Sequence, residues 1–194
     1  DRVRPFEPPP STPWSARASD GVTVRGRLTA SRGADTAVVV VHGMGGSPES
    51  RYVRIAAKEA HARGHTVLRL GLRGAGADGE DIYHAGLTTD LHAALRSEAL
   101  AGYEHLLLLG YSLGGHAALC AATDADVEPR LRAVGAVCAP VDLHAAQAAI
   151  DAPHRLIYRR YMLSGLTAMY RALAARSSVP TFPARVDAVR SLRA

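Results

Sequence analysis

A chain of 194 residues, 47% apolar and 21% charged, is long enough for one globular domain with a real core. No apolar run approaches the roughly 20 residues of a membrane-spanning helix. The net charge of +5 is confined: residues 154–194 carry eight arginines against Asp187 alone, which reads as a solvated basic face and excludes nucleic-acid binding as the leading expectation.

Residues 1–19 hold Pro5, Pro8, Pro9, Pro10 and Pro13, which forbid regular helix or central strand, so an extended Pro-rich arm is expected. They contain no apolar leader block, and the chain opens on Asp1 rather than Met, which predicts a processed or trimmed product. After Asp20-Gly21, Val22–Leu28 alternates like a half-exposed strand. Thr36–Val41 is continuously apolar and β-branched, the pattern of a strand covered on both faces. It enters the glycine-rich loop His42-Gly43-Met44-Gly45-Gly46-Ser47, and Pro48–Arg63 reads as a helix ended by Gly64.

The alternation then repeats. Thr66–Leu70 predicts a strand, Arg73–Asp78 a loop and Asp90–Leu100 a helix. His105–Leu109 and Ala133–Cys138 predict buried strands on either side of a helix over His116–Ala122. Strands alternating with helices at this spacing make an α/β fold with a mostly parallel sheet and helices on both faces. Ligands then lie beyond the C-terminal strand ends, where both glycine-rich loops fall. Residues 20–142 form this core. Residues 143–194 form a helical lid or cap, with Leu163, Leu166, Tyr170 and Leu173 at helical spacing. Cys120 and Cys138 sit in apolar runs without metal-type spacing, which predicts two buried thiols and a reducing, cytoplasmic setting.

Gly110-Tyr111-Ser112-Leu113-Gly114 is a G-x-S-x-G with a strand before it and a helix after it, the context a nucleophile elbow needs. A sharp strand-to-helix turn strains the serine backbone, and the residues two before and two after crowd it, so both are glycine. Such a serine attacks a carbonyl only if the tetrahedral oxyanion meets donors. Leu113 N–H, at a helix N-terminus, is one; Met44 in the earlier loop is the second candidate. His42 is read as shaping that loop by hydrogen bonds. The rival phosphate motifs fail: there is no G-x-x-x-x-G-K-[ST], and Pro48 falls where a dinucleotide loop wants its third glycine. His61 and His65 flank Gly64, and Asp78, Glu80 and Asp81 lack calcium-loop spacing, so neither a metal nor a cofactor is expected.

These blocks together resemble the YheT-like branch of the α/β-hydrolases. The likeness runs through His42–Ser47, Ser50-Arg51-Tyr52, Leu72-Arg73-Gly74 and Tyr83–Thr88. It continues in Asp90-Leu91, Gly110–Gly115 and Tyr158-Arg159-Arg160-Tyr161 with Tyr170. The resemblance implies a serine hydrolase of carboxylic esters, including lipid or medium-chain acyl esters, with Ser112 as nucleophile and Met44 and Leu113 as oxyanion donors. Two departures stand out. His116 occupies a position where the branch often has Asn; it is read as structural. The branch takes its acid and histidine from later strands, in the order Ser, Asp, His, which this chain does not reach.

The α/β-hydrolase fold is therefore expected to be incomplete at its C-terminal end, and without the later strands Ala133–Cys138 would be an apolar sheet edge. The remainder would come from a longer chain or a partner, or the chain is a degenerate homologue. A triad within the chain would draw on His84 and Asp142. The arginines and apolar stripe of 143–176 are a candidate for peripheral contact with an anionic membrane, against a plain lid packed on the core. The rival class is a non-catalytic binding or scaffold module that keeps the pocket without the relay.

Overall fold

The most apolar runs of the sequence become the centre of a six-stranded sheet. The computed structural model describes residues 7–75, 80–176 and 183–192. Its strands are β1 (Thr12–Arg17), β2 (Thr23–Thr29), β3 (Thr36–Val41), β4 (Thr66–Gly71), β5 (His105–Tyr111) and β6 (Leu131–Val137). They lie in the order β1-β2-β4-β3-β5-β6. The last four in that order are parallel; β2 runs antiparallel to β4, and β1 antiparallel to β2. The helices are α1 (Arg51–Ala62), α2 (Thr89–Leu95), α3 (Leu113–Thr123), α4 (Leu143–Asp151), α5 (Leu156–Ala174) and α6 (Pro183–Asp187).

Successive side chains of a strand point to opposite faces, and here both faces are covered. Val38, Val40 and Val67 pack with Val53 and Ala57 of α1. Val39, Val41, Leu68, Leu70, Leu106 and Leu108 pack with α2 and α3, through Leu91, Leu95, Ala117, Ala118 and Ala121. Each such Val or Leu side chain contributes about 1.5–3 kcal/mol by leaving water. This layering is why β3 and β5 can point their C-terminal ends, and the loops after them, at one place.

Several expectations need correction. The arm over residues 1–19 contains β1, an edge strand with Trp14 buried in the core. Pro13 stands opposite Arg27 in its register, which an edge strand tolerates because its missing N–H breaks no ladder on the open side. The run Ala133–Cys138 is a strand but not a buried one. β6 forms the other edge of the sheet and is mostly exposed, with Val137 41% accessible. An apolar run marks a buried strand only where neighbouring elements cover it, and β6 is covered on one side.

The helix expected over Asp90–Leu100 stops at Leu95. Ser97 is extended (φ −63, ψ 149), and Glu98–Leu100 forms a 3-10 turn. Arg130 Nη1 ties that region down by donating to the Leu100 and Ala101 carbonyls, at 2.7 and 3.1 Å. The helical segment 143–176 is broken at Ala152 (φ −58, ψ 139), because the following Pro153 disfavours helical backbone in the residue before it. On α5 the inward residues are Met162, Met169 and Leu173, while Leu163, Leu166 and Tyr170 are half-buried. Part of the loop expected over Arg73–Asp78 lies outside the described residues. Among the described residues no helix is long and apolar enough to cross a membrane.

Candidate active site

β5 ends at Tyr111 and α3 begins at Leu113, so Ser112 makes the whole turn alone. Its backbone sits at φ 50, ψ −120, a region that costs a non-glycine residue about 1–3 kcal/mol. The turn is held by Ser112 N–H donating to Val137 O at 2.8 Å and by the Ser112 carbonyl accepting His116 N–H at 3.0 Å. The flanking glycines leave no room for a side chain. A Cβ on Gly110 would lie 2.6 Å from Gly115 Cα, and one on Gly114 would run into the His42 carbonyl oxygen.

The loop after β3 is organised around His42, which is fully buried. Its Nε2 lies 3.1 Å from Leu72 N. A backbone N–H can only donate, so Nε2 accepts and the ring proton is on Nδ1. Nδ1 then donates to the Gly43 carbonyl at 2.7 Å. Burial pushes the His42 pKa down to about 4, so the ring stays neutral and works as a strut between this loop and the segment after β4. Gly46 N–H also donates to Gly43 O, at 3.0 Å. Gly43 N–H donates to Tyr52 Oη at 2.9 Å, and Gly45 N–H to Tyr83 Oη at 2.6 Å. Among the described residues, no hydrogen bond engages the N–H of Met44 or of Leu113.

A cavity of about 210 Å³ opens where these pieces meet, lined by Gly43, Met44, Tyr52, Ser112, Cys138 and Met162 among others. α5 forms one wall and lies directly on the loop: a Cβ on Gly165 would sit 3.1 Å from Gly45 Cα. Behind the loop, Arg73 and Asp90 form a buried pair. Asp90 Oδ1 accepts from Arg73 Nε at 2.9 Å and Nη2 at 2.6 Å, and Oδ2 accepts the Arg73 backbone N–H at 2.8 Å. Burial alone would push the guanidinium pKa down; the Asp90, Asp20 and Asp81 carboxylates together more than reverse this, and Arg73 stays charged.

The other residues singled out by sequence fall away from Ser112 chemistry. His116 donates from Nδ1 to Pro140 O at 2.9 Å, and its Nε2 lies 3.6 Å from Cys120 Sγ. His84 is exposed on its loop. Asp142 spends a carboxylate oxygen on capping α4, accepting Ala145 N–H at 2.9 Å. Among the described residues, no hydrogen bond joins Ser112 Oγ to a histidine, so the His84–Asp142 triad is not assembled. Cys120 is half-buried and Cys138 exposed, both free, so the expectation of two buried thiols fails with the exposure of the β6 edge. Elsewhere, donor atoms of His92, Asp124 and Asp126 lie within 4.8 Å of one another. They are already engaged, His92 Nε2 with Asp124 at 2.7 Å and Asp126 with Arg96.

Sequence reasoning missed the two tyrosines that accept the loop amides and the Arg73–Asp90 pair. All four lie in blocks that carried the family resemblance, so a signal existed. Spacing could not have paired residues 38 positions apart, as Gly45 and Tyr83 are.

Comparison with known proteins bears on the fold and the family. A protein of Escherichia coli (strain K12) named "Putative esterase YheT" is 31% identical over 162 residues. That stretch is 80% of this chain and 48% of the relative, so the chain spans about half the length of the curated relative it matches. Among solved structures, the Pyrococcus furiosus esterase Pf2001 superposes with a TM-score of 0.66 at 18% identity, covering 88% of this chain and 64% of that one. The α/β hydrolase GrgF from a Penicillium species gives 0.61 at 24% identity, covering 89% and 57%. Both likenesses speak to the fold. Residues 38–194, from the centre of β3 onward, match the alpha/beta hydrolase family, and the chain belongs to that family, with a sequence likeness to YheT.

Proposed function

We propose that this chain carries the nucleophile and oxyanion part of a serine hydrolase acting on carboxylic esters. Ser112 Oγ attacks the acyl carbon as its proton passes to a base, and the tetrahedral oxyanion is held by the Met44 and Leu113 N–H groups. Collapse expels the alcohol with a proton and leaves an acyl-enzyme, which water cleaves by the same route. One observation carries the reading: a serine held at φ 50 beside a cavity that Met44 also lines, with no hydrogen bond among the described residues engaging the N–H of Met44 or of Leu113, the residue after the serine. The base and its acid come from polypeptide outside the described residues, in a longer chain or a partner. The exposed face of β6 supports this.

The substrate side of the reading is an apolar acyl group. Tyr158 and Tyr161 of α5 line the cavity yet are 45% and 68% exposed, with Ile157 exposed beside them, a rim suited to a lipid or medium-chain acyl tail under α5 as lid. Two free cysteines support a reducing setting such as the cytoplasm.

Fluorophosphonate labelling read by intact mass tests the assignment, with Ser112→Ala as control. Labelling lost in the variant supports a nucleophilic Ser112. If the 194-residue chain is silent and a form extended beyond Ala194 is labelled, the base lies beyond Ala194. Silence in both removes the hydrolase reading and leaves a non-catalytic binding module.

A further inference from the structure

Three consecutive peptide planes around Met44 are pinned, the middle one by groups of the loop itself and the outer two by phenols from outside it. The plane that carries Met44 N–H has the Gly43 carbonyl at its other end, and that oxygen accepts both His42 Nδ1–H and Gly46 N–H. In a trans peptide the N–H points opposite to the C=O, so fixing the carbonyl aims the Met44 N–H away from His42. The plane before it ends in Gly43 N–H, held by Tyr52 Oη; the plane after it ends in Gly45 N–H, held by Tyr83 Oη. The loop is built to admit one of these phenols: a Cβ on Gly46 would lie 2.7 Å from Tyr52 Oη.

We infer that Tyr52 and Tyr83 are positioning residues for the oxyanion donor: their hydroxyls fix the peptides flanking Met44 and leave its N–H as the loop's open donor. This deepens the hydrolase reading and rests on it. Glycine at 43, 45 and 46 gives the loop conformational freedom. A donor stabilises a developing oxyanion only to the extent that it is held in place beforehand. Without a phenol oxygen, the neighbouring amide loses its acceptor and the loop gains alternative peptide orientations that turn Met44 N–H off the cavity. Tyr83 is almost fully buried and meets the His42 ring edge-on at 6.0 Å, and Tyr52 leans on Tyr111 at 4.9 Å. Both rings are therefore anchored by packing, and a phenylalanine would keep that packing while deleting the acceptor.

The test uses Tyr52→Phe and Tyr83→Phe in the full-length protein, assayed with a p-nitrophenyl acyl ester. The expected result is a fall in kcat of about ten-fold for each variant with KM within about two-fold. Affinity for an alkyl boronic acid, which forms a tetrahedral adduct on the serine, should fall by the same factor as kcat. A merely structural role would lower the folded fraction and would not weaken the boronate selectively. Unchanged kcat, or a rise in KM with kcat intact, overturns the inference. If Tyr83→Phe does not fold, Tyr52→Phe carries the test, since Tyr52 is 37% exposed. Fluorophosphonate labelling of the wild type separates the two levels. Absence of labelling at Ser112 overturns the hydrolase reading and this inference together; labelling with unaltered kcat in both variants overturns this inference alone.

Discussion

Replacing Asp90 with alanine would strand the Arg73 guanidinium in a site where its side chain is only 3% exposed. Asp90 is fully buried and accepts three hydrogen bonds from Arg73, one of them from the backbone N–H. Breaking a buried ion pair by removing one partner costs about 3–5 kcal/mol. Asp20 at 2.7 Å and Asp81 at 3.2 Å would still partly compensate the charge, which sets the expected loss near the lower end, about 3 kcal/mol. The assay is urea unfolding followed by circular dichroism, where the midpoint should drop with the m-value unchanged. Adding Arg73→Met to Asp90→Ala removes the unpaired charge and should restore at least about 1 kcal/mol relative to the single variant. A loss below about 1 kcal/mol, or a double variant that is simply additive, would refute the argument that this pair is a buried and mutually dependent unit.

His42 predicts a pH dependence. Its pKa in the fold is pushed down to about 4 by burial, below the unfolded value near 6.5. Between those values the unfolded chain binds the proton and the folded chain does not. Its contribution is therefore complete above pH of about 6.5 and is lost as pH falls toward 4, by up to about 1.4 kcal/mol per pH unit. Urea unfolding at pH 4.5 and 7 should show this slope in wild type and lose that part of it in His42→Gln.

Ser112→Gly should remove fluorophosphonate labelling while raising stability by about 1 kcal/mol, because glycine enters φ 50 without the Cβ penalty; a destabilised variant in thermal unfolding would contradict the strain argument. Asp142→Ala should cost about 1 kcal/mol through loss of the α4 cap, and neither it nor His84→Ala should change the labelling rate of a labelled form. A loss of labelling in either would bring the internal triad back.

Much of this protein is written locally. The β-branched run Thr36–Val41 and the apolar run of β5 specify central strands because their side chains must be covered on both faces. Gly110 and Gly114 specify the elbow because a strand-to-helix turn around one serine has no space for Cβ atoms on either side. Pro153 was equally visible, and its effect on Ala152 explains why one predicted helical segment is two helices. These features depend on neighbours within a few residues, and the sequence states those neighbours directly.

Tertiary structure decided what depends on distant partners. Trp14 becomes core only because β1 pairs with β2, which the prolines before it disguised. The same kind of apolar run is buried in β5 and exposed in β6, since exposure is set by where a strand falls in the sheet order. The hydroxyls of Tyr52 and Tyr83, the proton on His42 Nδ1 and the Arg73–Asp90 pair all arise from contacts between the loops after β3 and β4 and the segments that pack on them. Sequence could name Ser112 and the Met44 loop as candidates. Only the packed chain brings them to one cavity, because the ends of β3 and β5 are adjacent in the sheet although 70 residues separate Val41 from Tyr111.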